Sequence, residues 1–327
     1  MPRRVWITWE NQRRSIVLAD HFGCDLLLCE QQGPLRYPRS VLATLAFLIR
    51  YRPRHLFVQN PSMLLAAIAV LWGMVTRAET IVDRHSTFLL GRDHERSLQL
   101  AVFRLLSRFT LRYASLTIVT NEFLATLVAQ AGGRAAVLPD KLPNLVGNHS
   151  SARTMKGRSV FVVSSFADDE PLEQVVDAAA LLRDSDINFY ISGRKSRAPK
   201  HLLERAPSNV HFTDFLPDDE YATAMRMADI VMVLTTAEHT MLCGCYEAVA
   251  AGKPLVTSDM EELRAYFSGA TFVDNTARGI AAAVHISEDE LVSAVERIRE
   301  NRQRIDREWA ELARRVEQSI GDGDRNA

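Results

Sequence analysis

Short apolar runs alternate with stretches of helical periodicity along the whole chain. In the first half, strand-length runs fall at 5–8, 25–29, 55–59, 80–83 and 116–120, with helical patterns near 13–21, 41–51, 62–75, 94–113 and 121–131 between them. In the second half the strands are predicted at 159–164, 188–192, 210–213, 230–234, 255–257 and 271–273. Helices are predicted there at 171–183, 218–227, 241–251 and 288–318. Strands alternating with helices twice over predict an α/β chain with two doubly wound parallel sheets, each a Rossmann-like domain. The segment 142–156 is rich in Pro, Asn, Gly and Ser and poor in periodic apolar content, so the junction belongs there. The expected domains are 1–145 and 146–327, the second ending in a long helix.

One stretch carries more chemistry than the rest. Ile230 to Leu234 is an unbroken apolar run, as in a parallel strand buried on both faces. A polar loop follows, then a helix that carries Glu247 and stops at Gly252. Ligands of open α/β sheets bind beyond the carboxyl ends of the strands, where helix N-termini offer unpaired N–H groups to anions. With the helix beginning at Thr240, Met241 and Leu242, their backbone N–H groups are candidate diphosphate donors. Thr240 is also a fitting N-cap, and capping alone explains it nearly as well. Glu247, further along that helix, can accept hydrogen bonds from both hydroxyls of a ribose. This is a nucleotide-binding layout.

Glu247-Ala248-Val249-Ala250-Ala251-Gly252-Lys253-Pro254, followed by Val256-Thr257-Ser258-Asp259, resembles the donor-binding half of GT-B glycosyltransferases, most nearly the retaining, family-4-like (group 1) enzymes. Their signature is two glutamates separated by seven residues, the second of which binds the ribose of a nucleotide sugar. Glu247 matches the second; His239 stands in the place of the first, and Glu238 is one position off. The resemblance implies two Rossmann-like domains facing a cleft, a nucleotide-diphospho-sugar donor held mainly by the second, and sugar contacts from His239 or Glu238. It implies further that the acceptor hydroxyl attacks from the face the diphosphate leaves, with that diphosphate taking the proton. The resemblance also implies that backbone N–H groups and cations, rather than an obligatory metal, stabilise the leaving diphosphate; no Asp-x-Asp pair lies in the expected cleft to argue otherwise, and no cofactor is expected.

Elsewhere the chain departs from the family. The loop after the first strand of the second domain, Ser164-Ser165-Phe166-Ala167-Asp168-Asp169-Glu170-Pro171, has small and acidic residues where the family often has an Arg and a Lys for the diphosphate. Ser165 remains a candidate donor there. Arg194 and Lys195, directly after the strand at 188–192, are the nearest replacement cations, or else a solvated basic turn. Asp169-Glu170-Pro171 reads alternatively as a helix cap. In the first half, His85 follows a strand at a point where similar enzymes often have a histidine facing the transferred sugar; it is either that or structural. Asp83 either orients it or ends the strand. The first strand is followed by no glycine-rich loop, leaving Arg13 or Arg14 as candidate contacts for the acceptor. Asn60 to Ser62 and Asn121 also read as helix caps.

Composition narrows the setting. The 327 residues are 47% hydrophobic and 24% charged, as in a soluble globular protein. Residues 1–150 carry 18 basic and 10 acidic groups, or +8, against −9 for the remainder. The first half therefore faces something anionic: a membrane surface, a phosphate-bearing acceptor, or the acidic second half. Arg104, Arg108 and Arg112 share one helix face by spacing, either as a solvated stripe or as a contact for anionic lipid. The most hydrophobic stretch, 63–75, is too short to span a bilayer, and no signal peptide opens the chain. Cys24, Cys29, Cys243 and Cys245 lack zinc-site spacing and fit a reducing compartment. The expectation is a cytoplasmic glycosyltransferase, peripheral on the inner face of the membrane if attached at all. Its acceptor would be a glycan or lipid-linked molecule, as in polysaccharide biosynthesis, and nucleic acid is not expected. A non-catalytic nucleotide-sugar-binding subunit and an epimerase of the same fold stand as alternatives.

Overall fold

The computed structural model describes residues 4–60, 62–85, 98–145 and 155–321. It holds two compact units: 1–141 with 309–327, and 142–308. The stretch 309–327, assigned by sequence to the second domain, counts with the first because its apolar residues complete the first unit's core. Part of the junction, 146–154, lies outside the described residues, as do Pro61 and Ser86.

The first unit is a six-stranded parallel sheet of order β2-β1-β3-β4-β5-β6. Its strands are β1 (Arg4–Thr8), β2 (Asp25–Leu28), β3 (His55–Asn60), β4 (Glu79–Arg84), β5 (Leu116–Val119) and β6 (Ala135–Val137). Five helices connect them: α1 (Arg13–His21), α2 (Arg36–Tyr51), α3 (Met63–Thr76), α4 (Leu98–Tyr113) and α5 (Glu122–Gln130). Alternate strand residues feed opposite faces, as a sheet covered on both sides requires. Trp6, Phe57, Ile81 and Ile118 pack with Leu18 and Phe22 of α1 on one face. Val5, Ile7, Leu56 and Val58 pack with Leu48 of α2 and Leu65 and Val70 of α3 on the other. The first of these cores is finished by Trp309, Ala313, Val316 and Ile320, and the Trp309 indole N–H donates to Pro139 O at 3.0 Å. The caps read at Ser62 and Asn121 are present: Ser62 Oγ accepts from Leu65 N–H and Asn121 Oδ1 from Leu124 N–H.

The second unit is also parallel, in the order β12-β11-β10-β7-β8-β9. Its strands are β7 (Arg158–Val162), β8 (Ile187–Ser192), β9 (Val210–Asp214), β10 (Ile230–Val233), β11 (Leu255–Ser258) and β12 (Thr271–Val273). The helices are α6 (Leu172–Leu181), α7 (Lys200–Arg205), α8 (Asp218–Met227), α9 (Cys243–Ala251), α10 (Glu261–Tyr266), α11 (Ala277–Val284) and α12 (Glu288–Gly321). Val160, Val162, Ile230 and Met232 face α6 and α11, while Phe161, Val231 and Val233 face α8, α9 and α12. Winding runs from β7 outward through β8 and β9, then restarts on the other side of β7 with β10. The switch point lies between β7 and β10, where the two outgoing loops diverge and leave a crevice. Among the described residues no helix is long and apolar enough to cross a membrane.

Candidate functional site

The carboxyl ends of β7 and β10 form the site, and glycine brings a helix onto them. A Cβ at Gly244, in the first turn of α9, would meet the Val163 and Val233 side chains at 3.0 Å. Lacking a side chain, Gly244 lets the N-terminus of α9 press closely against both strand ends at once. Helix N-termini carry unpaired N–H groups and partial positive charge, which suits an anion. The helix begins at Cys243 with Leu242 as N-cap, rather than at Thr240. Thr240 does not cap it: its hydroxyl donates to Glu238 O at 3.2 Å. Met241 and Leu242 are drawn into packing against the core instead, which keeps their backbone out of the helix. The helical N–H groups nearest the crevice are therefore those of Cys243 and Gly244, two to three residues later than the sequence suggests.

Glu247 is the fifth residue of α9 and half-buried. Tyr221 of α8 donates its phenolic O–H to Glu247 Oε2 at 2.9 Å, holding the carboxylate in one orientation. Nothing in the sequence links these two positions, which are 26 residues apart.

The loop after β7 is closed on itself. Glu170 accepts from the Ser164 hydroxyl at 2.7 Å, from the Ser165 N–H and hydroxyl at 2.9 and 2.8 Å, and from the Phe166 N–H at 3.0 Å. Both donors of Ser165 are thus spent on an internal anion, and Ser165 does not stand open to a phosphate as expected. Glu170 turns back into this loop and Asp169 turns to the loop after β10, so neither caps α6; its N-cap is Pro171, with no side-chain hydrogen bond. Asp169 Oδ2 accepts from the Thr235 hydroxyl at 2.8 Å, and Asp169 O accepts from Thr236 N–H at 2.7 Å. Thr235 is further fixed by its N–H to Ser258 Oγ at 2.8 Å and by its carbonyl, which accepts from Asn275 Nδ2 at 2.9 Å. Asp169, Thr235 and Asn275 tie the switch-point loops together, and only the acidic run beside a strand end hinted at the first.

His239 adopts a left-handed backbone, φ 58°, which is uncommon outside glycine and concentrates at functional sites. Its Nδ1 pairs with Glu262 of α10, whose side chain is only 11% exposed. Glu238 has an 80% exposed side chain that comes no nearer than 4.0 Å to His239 Nε2. Of the two candidates for the first motif position, the fold anchors His239 and leaves Glu238 in solvent.

Arg194 and Lys195 lie on the turn after β8, both exposed. Gly193, φ 107°, lets that turn lie against the β7 loop: a Cβ there would come within 2.6 Å of Ser164 O. The Arg194 guanidinium stacks 4.9 Å from the centroid of Phe215. Asp214 sits below the usual carboxylate range because the backbone N–H groups of Lys195 and Phe215 donate to it.

In the first unit, His85 stands at the end of β4 with its Nδ1 3.4 Å from Asp83 Oδ2. Asp83 is buried, and burial alone would raise its pKa; the Arg14 guanidinium outweighs that, with help from His85, and holds it at about 2. Arg14 Nη2 donates to Asp83 at 2.8 Å and to Leu138 O at 2.9 Å, while Nη1 reaches Asp140 at 2.6 Å. Burial works to lower the Arg14 pKa, and the two carboxylates more than reverse it. Arg14 is therefore a buried structural cation, not an available contact for an acceptor, whereas Arg13 is exposed. The four cysteines are unpaired, and burial pushes Cys24 and Cys245 up to about 12, far from a reactive thiolate.

Comparison with known proteins bears on the family and the fold. The family model for glycosyl transferases group 1 matches residues 149–316. No curated protein matches the chain by sequence. Among solved structures, the fold is similar to sucrose-phosphate synthase from Thermosynechococcus elongatus, with TM-score 0.76, 15% identity, and coverage of 99% of this chain and 100% of that one. HepE from Anabaena, solved with UDP-glucose, gives TM-score 0.70 at 16% identity over 97% of this chain and 91% of its own. A glycosyltransferase from Rickettsia africae gives 0.68 at 10% identity over 99% and 91%. These solved structures speak for the fold, a GT-B pair of α/β units.

Proposed function

Because this chain belongs to the glycosyl transferases group 1 family and is a glycosyltransferase, we propose that it moves a sugar from a nucleotide-diphospho-sugar donor to a glycan or lipid-linked acceptor, with retention. The observation that carries the donor reading is the α9 N-terminus, seated by Gly244 on the ends of β7 and β10, with Glu247 on the same helix. In this reading the N–H groups of Cys243 and Gly244 receive the diphosphate, and Glu247, oriented by Tyr221, receives the ribose hydroxyls. HepE, similar in fold, is a protein seen with UDP-glucose, which makes a uridine nucleotide the first base to try.

Two charges on the leaving diphosphate need partners as the glycosidic bond breaks. The β7 loop supplies none, since Glu170 holds its donors. Arg194 or Lys195, one strand over, meets that need in this reading once a nucleotide draws the side chain off its resting contact, and no step requires a metal ion. His239, held by Glu262, faces the sugar in place of the family's glutamate. The acceptor hydroxyl attacks on the face the diphosphate leaves, and that diphosphate takes its proton.

In this reading the first unit touches a membrane surface, on its cytoplasmic side, and exposed apolar side chains support the contact. Leu42 and Ile49 of α2 are 68% and 61% exposed, and Leu71 and Val75 of α3 are 53% and 83% exposed. Such apolar side chains among arginines suit an anionic bilayer surface.

Incubating the purified protein with a panel of nucleotide sugars tests the reading by mass spectrometry. Consumption of at least one, with release of nucleoside diphosphate, is the expected result. A panel left neither bound nor consumed would overturn it. Once an acceptor is known, an inverted anomeric centre in the product would overturn the retaining mechanism alone.

A further inference from the structure

Arg108 and Arg112 border a groove of about 620 Å³ between α4 and α5, whose apolar walls include Leu111, Leu124 and Leu127 and to which Arg84 also contributes. Arg84 is the last residue of β4 and half-buried. Its one hydrogen bond among the described residues is neutral, from Nη1 to Ser107 Oγ at 2.8 Å. Burial lowers its pKa, and no charge among the described residues offsets that effect. Arg14, by contrast, is buried on the other side of the same sheet with two carboxylates against it. A guanidinium withdrawn from water without a counter-charge is costly, and the same cost becomes affinity for an anion that can reach it. Arg112 stacks 5.6 Å from the centroid of Tyr113, and neither it nor Arg108 has a carboxylate partner among the described residues. Among the described residues no acidic side chain lines the groove.

We propose that the groove between α4 and α5 binds an amphiphile with a phosphate head, the phosphate between Arg84, Arg108 and Arg112 and the hydrocarbon chain along Leu111, Leu124 and Leu127. Guanidinium groups match phosphate oxygens in pairs, which accounts for arginine in all three places. Leu111 and Leu127 are only partly covered by the core around Leu124, and their remaining apolar surface accounts for a chain on the ligand, since a free phosphate would leave it in water. The ligand is either a lipid monophosphate, as a lipid-linked acceptor would present, or a membrane phosphodiester. This site lies in the first unit and does not depend on the donor reading.

Isothermal titration of the full chain with decyl phosphate, dihexanoylphosphatidylglycerol, inorganic phosphate and octyl glucoside tests it. Saturable one-to-one binding is expected for at least one phosphate amphiphile, at least tenfold tighter than inorganic phosphate. Octyl glucoside should not compete. Tighter binding of decyl phosphate assigns the monophosphate source, and tighter binding of the phosphatidylglycerol assigns the membrane source. Arg84→Gln and Arg108→Gln should each weaken binding about tenfold. Arg108 is exposed, so its variant tests the site even if Arg84→Gln impairs folding. Unchanged affinity in Arg108→Gln, equal affinity for inorganic phosphate, or no saturable binding would overturn the proposal. Because the readout is binding without nucleotide, such a failure leaves the donor reading standing, and the converse holds.

Discussion

Single residues of the candidate site were legible where one side chain does one job, and illegible where a partner decides the job. Glu247 could be picked from its motif, but Tyr221, which orients it, comes from another helix. Replacing Tyr221 by Phe removes one hydrogen bond to a carboxylate and leaves the ring in place. Nucleotide affinity should fall by about 0.5–1.5 kcal/mol with melting unchanged, and equal titration curves would show that the contact is idle. Arg14 was misread for the same reason. An arginine just after a first strand looks available, yet Asp83 and Asp140, 69 and 126 residues away, close around it. The pH dependence follows from Asp83. Its folded pKa, about 2, lies below the unfolded carboxylate value of about 3.9, so its contribution is complete above the unfolded value and lost as pH falls toward 2. Urea midpoints should therefore drop across that acid window. Asp83→Asn, which strands Arg14, should cost about 3–5 kcal/mol at neutral pH and flatten the slope. A variant with the wild-type acid slope would assign that slope to other carboxylates.

Among the elements, periodicity located every long helix and nearly every strand, because both sheets are covered on both faces and their strands read as apolar runs. The helices α1 and α8 and the strand β12 fall where the pattern put them. The strand β6 escaped because it is a three-residue, alanine-rich edge, and α7, α10 and α11 because six to eight residues make only about two turns. At α9 the pattern ran two residues early, since apolar Met241 and Leu242 read as helix while they serve the core from a loop. The β7 loop was opaque altogether, because nothing in Asp169-Glu170 says which way a carboxylate turns. Glu170 is its organiser, accepting from two hydroxyls and two backbone N–H groups. Glu170→Gln sets an amide N–H₂ against those donors, so hydrogen exchange at Ser165 and Phe166 should speed up at least tenfold while the rest of the second unit stays protected. Protection that does not change would mean the loop is held by Asp169 and Thr235 alone.

For the whole molecule, the two-sheet architecture could be read from one sequence, while the path of the last helix could not. Nothing in the alternating charges from Glu288 onward says that Trp309, Ala313, Val316 and Ile320 belong to the first core while Ile298 and Ile305 belong to the second. Trp309→Ala should destabilise the first unit by about 3–5 kcal/mol, seen as an earlier loss of its melting transition, with the second unit's transition in place. A single transition shifted as one would show that the units unfold together. The central claim is that a nucleotide sugar is held at the carboxyl ends of β7 and β10 through Glu247. Its most direct test is calorimetric titration of the wild-type protein and of Glu247→Ala with the nucleotide sugar that the panel selects. The account predicts saturable binding by the wild type, weakened by about 1–3 kcal/mol in the variant, with both proteins melting at the same temperature. Equal affinity in a folded Glu247→Ala protein would contradict it.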